Sequence, residues 1–561
     1  MANPSDLQFD VVIAGGGFAG VYTAQTLSRK LGCEAARRVA LVASENFLVF
    51  QPMLAEVVGS ALSPRHVVNP LRLLCQGISV LRGDITSIDL TERSFRLQAG
   101  DFTGGVSVQF EHLVLALGGV VDLSRVPGMP EHAFLMKNVG DALRLRGAII
   151  DRFEEANSET NEAERKRLLT FVIVGGGYSG VETAGQILDL TKEIVRFYAR
   201  IGEDEPRVIL VHSGPHLLPE ISESLGRYTE ENLSARGVEI ILNARASAMT
   251  ASKLLLGDGR TIESHTVVST VGNAPHPLLG DLCRKSGIAL EKGRIITDSM
   301  LRVPGHDRLW AAGDCAAVPM PAKHAAERSE GVAKRSPFKP QTYCPPTAQF
   351  AVREGEVLGK NLARVLRNER CEEKFAFTGL GELAAIGHQS AVAEILGLKF
   401  HGFIAWWMWR TIYLMKLPGF ERKLRVMIDW TLDLFFPRDI TLFQSRPTET
   451  IKEMHLEKGD HVFHAGDPAL SLYIVKSGRI ELHDEQGAVL RNVVAGTQIG
   501  KQTLLSSKVW RFTAVTAEPT TLVAVSGKVF ETVVNAGSTV EEVFTPAVPR
   551  KADEPEPVGV C

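Results

Sequence analysis

The hydrophobic and polar positions of this chain change period several times along its length, and each change marks an element. Near the start, the β-branched run "FDVVIA" meets "GGGFAG", after which the apolar spacing becomes helical. The same order returns as "TFVIVGGGYSG" at residues 170–180. Both stretches read as a buried parallel strand, a G-x-G-x-x-G turn and a helix that continues Val-x-Thr-Ala. A third apolar strand, "RLWAAGDCAAVP" at 308–319, places Gly313 and Asp314 ahead of an expected helix. After Gly419, apolar residues recur with helical spacing at Phe420, Leu424, Met427, Ile428, Leu432 and Phe435, with Arg422, Lys423, Arg425, Asp429 and Asp433 opposite. Beyond residue 448 the pattern becomes short alternating runs broken by glycines at 459, 466, 478, 487, 496 and 500. Such runs predict an antiparallel β-roll. The tail, "AVPRKADEPEPVGVC", is rich in proline and charge and is expected to be disordered.

The glycines of the repeat have separate tasks. Gly15 and Gly175 allow the tight turn, Gly17 and Gly177 let a pyrophosphate reach the backbone, and Gly20 and Gly180 let helix and strand approach closely. The free N–H groups and positive dipole end of each following helix then hold phosphate. One such motif is weak evidence, but two in matching context point to two dinucleotides. Gly272, in "STVGNAP", is grouped with these binding residues. The downstream strand at 308–319 implies that the first domain resumes after the second is inserted into it. The fold class is therefore α/β, with two Rossmann-like domains, C-terminal amphipathic helices and an all-β roll. The expected boundaries are 8–120 with 295–385, an insert at 121–294, a helical segment at 386–440, a β-roll at 448–540 and a tail at 541–561.

Composition narrows the picture. The 561 residues suffice for three or four domains, and 45% hydrophobic with 23% charged residues is ordinary for a globular protein. A formal net charge of −3 argues against nucleic acid as a partner. The 7 cysteines lack any C-x-x-C or zinc spacing, so no metal site is expected and a reducing compartment fits. The acidic start, "MANPSDLQFD", predicts no signal or transit peptide. No run reaches the ~18 uncharged apolar residues of a spanning helix. Cys561 is the last residue rather than the fourth from last, so the end is not a prenylation box.

The nested layout resembles the two-dinucleotide flavoproteins, which implies FAD on the outer domain and NAD(P)H on the inserted one. Hydride transfer between the two rings requires them stacked at contact distance, which explains one cradle per cofactor. In that family Asp314 would accept from a ribityl hydroxyl, although an aspartate there also serves as a helix cap. Disulfide reductases of this architecture carry a redox cysteine pair near "NFLVFQPMLAEVVGSAL", and none occurs here. Cys315 and Cys344 are the candidates for the paired cysteines of sulfide-oxidising relatives, without a spacing signal to support them. Three segments instead resemble the type II, non-proton-pumping NADH:quinone oxidoreductases: residues 47–74, "PPTAQFAVREGEVLGKNL" at 345–362, and 377–430. The resemblance covers about residues 8–440. It implies that Gln349 lies against the flavin where quinone approaches, and that Glu182 points into the nicotinamide–quinone region to relay protons. An acid early in a helix is also favourable on dipole grounds alone.

Several positions depart from the family pattern. The first copy ends its second strand at Ala43, leaving Glu45 as the substitute acid for the adenosine ribose; the second has His212 where NADH-specific members have an acid. Losing that charge makes NADPH tolerable. Arg353 replaces the second glutamine of A-Q-x-x-x-Q, position 186 is Gln, and the loop 320–344 is long and basic.

Four of the 6 tryptophans (Trp406, Trp407, Trp409, Trp430) fall within 25 residues, in a stretch with five basic residues and one acid from Arg410 to Arg425. Residues 402–436 are therefore expected to lie on an anionic bilayer as a peripheral attachment at the cytoplasmic leaflet, against the alternative of a helix packed on the core. The alternating C-terminal region resembles the cyclic-nucleotide-binding domain over about 448–535. "IGKQTLLSSKVWRFTAV" matches its phosphate-binding frame, with Gly500 at its start and Arg511 at the phosphate. Lys501 replaces the carboxylate that accepts from the ribose, and Phe512 replaces a small residue. Both a sensor of altered preference and a roll kept for assembly, such as a homodimer, stay open. Three functions are carried forward: a peripheral FAD-dependent NAD(P)H:quinone oxidoreductase, a reductase with another acceptor, and a regulatory protein with a degenerate redox half.

Overall fold

The computed structural model describes residues 7–100, 105–321, 343–377, 379–442, 451–467, 469–484, 486–505, 509–527 and 529–530. The expected tail and most of the basic loop lie outside the described residues. The chain divides in sequence near residue 444 into two compact units, and each is described by itself.

The first unit is built on two sheets. One contains β1 (Leu7–Ala14), β2 (Val39–Ala43), β3 (Ser79–Arg82), β4 (Asp84–Asp89), β5 (Ser94–Gln98) and β6 (Val106–Leu115) in the order 3-2-1-6-5-4. The expected downstream strand pairs parallel with β6 through Trp310↔Val114, so the first domain does resume there. β1 is sandwiched in parallel register, Ile13 lying beside both Leu41 and Val114. Having neighbours on both edges and both faces, β1 needs the continuous apolar run that its sequence supplies.

The second sheet is wholly parallel: β7 (Phe134–Leu135), β8 (Thr170–Val174), β9 (Arg207–Val211), β10 (Val238–Ile241) and β11 (Thr266–Ser269) in the order 7-11-8-9-10. The chain leaves the first domain at Gly119–Val121 and returns at Asn273–Pro275, and these two crossings pair antiparallel. The return falls earlier than the expected boundary at 294/295. Leu279, Leu282, Cys283 and Ile288 already belong to the first core, because the helix Pro277–Ser286 packs its apolar stripe there.

A three-stranded antiparallel sheet at Gly381–Gly387, Ser390–Ile395 and Leu398–His401 was not expected, and the boundary drawn at 385/386 cuts its first strand. Its "GELAAIG…SAVAEI" runs are buried on both faces, so the alternation that marks a half-exposed strand is missing.

The helices that shape the site are α1 (Phe18–Leu31), α2 (Leu54–Val58), α3 (Tyr178–Ile194), α4 (Ala348–Val365), α5 (Gly402–Lys416) and α6 (Phe420–Leu432). The helix expected just after Asp314 is instead a single tight turn, Gly313–Cys315, and α4 takes its place some thirty residues later. α4 lies almost on the backbone of α1: a Cβ on Gly355 would stand 2.4 Å from the Ala19 carbonyl.

The second unit is the expected roll. Two four-stranded antiparallel sheets enclose a core of Phe463, Leu472, Ile480, Trp510, Leu522 and Phe530, with the short helix α7 (Lys501–Leu505) after Gly500.

Candidate functional site

Each fingerprint closes on the same geometry. Gly15 and Gly175 sit at φ +125° and +120°, where a Cβ would meet the Ala116 carbonyl at 2.0 Å and the Thr270 hydroxyl at 2.5 Å. The third glycine seals each turn, because a Cβ on Gly20 or Gly180 would overlap the Gly15 or Gly175 carbonyl at 1.9 or 1.7 Å. Gly17 faces open space, so its backbone is bare at the start of the fourteen-residue α1.

A cavity of about 530 Å³ runs from this turn between the first domain's strand ends. Glu45 lines it beside Ala43, and Gly313 and Asp314 also line it. Its bare amides beside a dipole, an acid past β2 and a second acid suit a dinucleotide whose ribose and ribityl hydroxyls need acceptors. The residues present therefore fit FAD. Burial pushes the Asp314 carboxyl above its ordinary range, against the pull of Lys137 and Arg294.

Sequence reading missed the residue that holds Gly313. Glu354, buried on α4, accepts the Gly313 N–H at 2.7 Å, and burial pushes its carboxyl up to about 7. Nothing in "REGEVLG" distinguishes it from a surface acid until α4 is known to lie on α1.

A second cavity, about 720 Å³, lies where the two domains face each other. It shares Phe18, Gln51, Lys137, Asp314, Pro346 and Ala348 with the first. Tyr178 and Ser179 of the second fingerprint, Glu182, Gln349 and Arg353 line it, and Tyr413, Met415 and Lys416 of α5 form its outer wall. Glu182 and Gln349 thus line the same cavity. Gln349 is fixed by the third sheet, its Oε1 accepting from the Leu380 N–H at 3.3 Å. Arg353 stacks over Phe377, 4.0 Å from the ring centroid, with its guanidinium donating to the Gln349 carbonyl.

Glu182 is 9% exposed and lies in the second turn of α3, beyond the first-turn position that dipole stabilisation alone would explain. Its Oε1 accepts from the Ala385 N–H at 3.1 Å and from Trp409 Nε1 at 3.3 Å. The third sheet reaches it because Gly185 has no side chain: a Cβ there would stand 2.6 Å from the Ile386 carbonyl. Burial, only partly offset by those donors and reinforced by Glu56, pushes the Glu182 carboxyl up to about 8.

His212 and Gly272 have other partners. His212 accepts the Gly176 N–H through Nδ1 at 3.0 Å, and burial lowers its basicity, so it braces the turn as a neutral ring. Gly272 takes φ +94° at the domain crossing, where its carbonyl accepts from Asp122; its neighbours Val271 and Asn273, not Gly272 itself, line the second cavity.

The helical hairpin after the third sheet departs from expectation in orientation. Trp409 is 1% exposed and Trp430 is also buried, donating to Glu182 and to Glu56 respectively. Asp429 does not face solvent but pairs with His66 and the Ser63 N–H, and Asp433 pairs with Arg438. The acids of α6 lie on its inner side, while Arg425 is exposed. The expected apolar stripe points outward, with Phe420 82% and Phe435 77% exposed; from α5, Phe403, Ile404 and Trp407 join it.

In the roll, Trp510 stacks on Phe463 with centroids 3.7 Å apart, and a Cβ on Gly500 would lie 2.7 Å from the Trp510 ring. Lys501 and Arg511 are exposed; residues 506–508 between them lie outside the described residues.

Two nucleotide cradles opening onto one cavity define a flavoprotein of the two-dinucleotide class. Comparison with known proteins refines this. A model of the pyridine nucleotide-disulphide oxidoreductase family matches residues 9–329, an NDH2 C-terminal domain matches 380–439, and a cyclic nucleotide-binding domain matches 453–536. The type II NADH:quinone oxidoreductase Ndh of Mycobacterium tuberculosis is 30% identical over 439 residues, covering 76% of this chain and 88% of that protein. An external alternative NADH-ubiquinone oxidoreductase of Yarrowia lipolytica mitochondria is 28% identical, covering 72% and 76%. The structure of Plasmodium falciparum NDH2 in complex with NADH shares the fold with a TM-score of 0.68 at 19% identity, covering 77% of this chain and 99% of that one. The chain belongs to the pyridine nucleotide-disulphide oxidoreductases and, within them, to the type II NADH:quinone oxidoreductase family.

The buried carboxyls set a pH dependence of stability. Glu56, Glu182 and Glu354 sit at about 7, 8 and 7 when folded, against 4.5 ordinarily. Below pH 4.5 both folded and unfolded chains hold these protons, so there is no difference. Above it the unfolded chain releases them first, so stability falls with rising pH until the folded groups also ionise. The melting temperature is expected to drop between pH 5 and pH 8, with a shallower slope in Glu354→Gln. Scanning fluorimetry across that range, giving parallel slopes, would contradict this.

Proposed function

We propose that this chain oxidises NAD(P)H and reduces a quinone in the second cavity. The observation that carries the reading is Glu182, a buried carboxyl facing a cavity that both nucleotide cradles share. When bound, FAD and the nicotinamide supply the hydride and electron chemistry. The protein binds and orients. The bare turn at Gly15–Gly17 and α1 hold one pyrophosphate, Glu45 and Asp314 bracket the first cofactor, and the Gly175–Gly177 turn with α3 holds the other.

A quinone becomes a quinol only by gaining protons, and the cavity combines apolar walls at Phe18, Phe50, Leu54 and Tyr413 with the polar groups of Glu182, Gln349, Arg353 and Lys416. Glu182 is placed to supply one. Because Oε1 is taken by two N–H donors, the proton resides on Oε2, and its raised affinity keeps it loaded at neutral pH. Gln349 lines the same cavity, its amide held by the third sheet, with Nε2 donating to the Gly381 carbonyl and to Glu382.

The purified protein should be yellow, bleach with NADH and regain colour with a short-chain quinone. Glu182→Gln, which keeps the acceptor for Ala385 and Trp409, should bleach normally yet regain colour about 100-fold more slowly. Stopped-flow absorbance reads both phases. Bleaching without recovery in the native protein would point to a different acceptor, whereas an unimpaired variant would remove Glu182 from the reaction.

Attachment to a membrane surface follows from the inverted hairpin. Among the described residues no helix is long and apolar enough to cross a bilayer. The outward apolar stripe of α5 and α6 has Arg422, Lys423 and the exposed Arg425 at its margin, which suits an anionic headgroup layer. The cytoplasmic leaflet is the side on which nicotinamide is supplied. Replacing Phe420 and Phe435 together by serine should weaken sedimentation with phosphatidylglycerol vesicles about tenfold while leaving NADH bleaching intact; equal sedimentation would rule this surface out.

The roll is read as a domain that does not take an ordinary cyclic mononucleotide. Lys501 cannot accept from a ribose hydroxyl, and Trp510 crowds Gly500 at the start of α7. Calorimetry with the 3′,5′-cyclic monophosphates of adenosine and guanosine should show no binding tighter than about 1 mM, and micromolar affinity would restore the sensor reading.

A further inference from the structure

A third cavity, about 510 Å³, lies along the same face of α3 as Glu182, beginning a turn further on at Gln186 and continuing past Asp189. Its walls differ in character from those of the quinone cavity: Glu56, Gln186, Asp189, Arg410, Asp433 and Arg438 supply much of its lining. Glu56 is 4% exposed on the short helix α2 and accepts from Trp430 Nε1 at 3.1 Å. Trp430 in turn lies 6.4 Å from Trp409, the donor to Glu182. The two carboxyls thus flank one tryptophan pair, Glu182 opening to the second cavity and Glu56 to the third. They are near enough that the Glu56 charge raises the proton affinity of Glu182.

The stoichiometry asks for such an arrangement. NADH, one proton and a quinone give NAD⁺ and a quinol. The hydride brings two electrons and one proton, so one further proton must come from water each turnover. The second cavity is the route of an apolar substrate and is walled by α5, whose outer side carries the apolar stripe. Water-borne protons need a different entrance.

We propose that Glu56 is the relay carboxyl that reloads Glu182 with protons drawn from the third cavity. This rests on the quinone reductase reading above. A proton passes from water in the third cavity to Glu56, from Glu56 to Glu182, and from Glu182 to the reduced quinone oxygen. No electrons move along this path. The groups facing Glu56 keep it able to exchange. Burial, joined by the Asp433 charge, outweighs the pull of Arg410 from α5, the Trp430 hydrogen bond and Arg438 beyond α6, and pushes the carboxyl up to about 7. Arg410 is itself held between Trp406 and Trp430, at 4.1 and 4.6 Å from their centroids, with its Nε unpartnered. Glu56 does not touch substrate and acts through Glu182, so it is a positioning residue for protons.

The test uses the full-length flavoprotein with two acceptors: a short-chain quinone, which consumes protons, and ferricyanide, which takes electrons alone. In Glu56→Gln the NADH bleaching rate and the ferricyanide rate are expected to stay within about twofold of native, while quinone reoxidation slows about tenfold or more. Quinone reoxidation unchanged in this variant would overturn the proposal. So would an equal slowing with both acceptors, which marks a structural role. Should Glu56→Gln fail to retain flavin, Glu56→Asp decides. Its lower intrinsic proton affinity should move the alkaline limb of the quinone rate to lower pH by about half a unit without moving the ferricyanide profile. An unmoved limb overturns the relay. A native protein that reduces ferricyanide but no quinone at all would instead refute the underlying function and leave Glu56 with nothing to reload.

Discussion

One constraint organises the first unit: a domain inserted into another must leave and return through nearly the same place. The antiparallel pairing of Gly119–Val121 with Asn273–Pro275 satisfies it, and the Asp122 amide donating to the Gly272 carbonyl at 2.7 Å ties the two crossings together. Because both strands turn there, the two sheets point their C-terminal ends at one another. Each strand end carries a glycine turn, and the cavity between them is lined by Phe18 from one fingerprint and Tyr178 from the other. Parallel sheets bind ligands at their C-terminal edges, so joining two such edges places two ligands face to face. A looser crossing would keep both cradles but lose their register.

How much of this the sequence disclosed depends on whether the signal was local. The two fingerprints, the resumed first domain at 308–319 and the alternating roll are short-range patterns, and each folds as read. The third sheet escaped because its strands are buried on both faces by α3 and α5, which removes the period-two alternation. The turn after Asp314 escaped because its helix comes from a distant segment. Among the site residues, Glu182 and Gln349 line one cavity. Gly272 and His212 were assigned to binding from motif position alone, and both turn out to brace backbone. Glu56 and Glu354 are single acids in short or surface-like contexts. Only three-dimensional neighbours, Trp430 for one and Gly313 for the other, reveal them as buried.

The periodicity of α6 illustrates a different limit. An apolar stripe opposite a charged stripe was read correctly as amphipathic, but periodicity does not say which stripe meets the protein. Here the acids are the inner contacts. Asp429 to His66 and Asp433 to Arg438 satisfy the polar stripe internally, and Val426 and Trp430 supply the packing. A helix anchored by its charged side leaves its hydrophobic side without a protein partner, which is unfavourable in water and favourable at a bilayer. Two of the tryptophans that suggested membrane contact serve instead as donors to buried carboxyls, so the membrane argument rests on phenylalanine, isoleucine and Trp407 rather than on tryptophan count.

These two facts meet in α5. Quinone chemistry requires an apolar road for the substrate and an aqueous one for protons, and the two must end at the same carboxyl without merging. Around α5, Phe403, Ile404 and Trp407 face outward, Tyr413, Met415 and Lys416 wall the cavity proposed for quinone, and Trp406 and Arg410 wall the third. Trp409 and Ala405 fill the remaining side, and it is Trp409 that touches Glu182. Its indole is suited to that place: it donates one hydrogen bond and otherwise presents carbon, so it fixes the carboxyl without placing a second polar group beside it. A helix with a single apolar stripe could not do this. The near-continuous apolar sequence "GFIAWWMW", which looks undifferentiated on a helical wheel, lets the first turns of this helix meet several different surroundings around one axis.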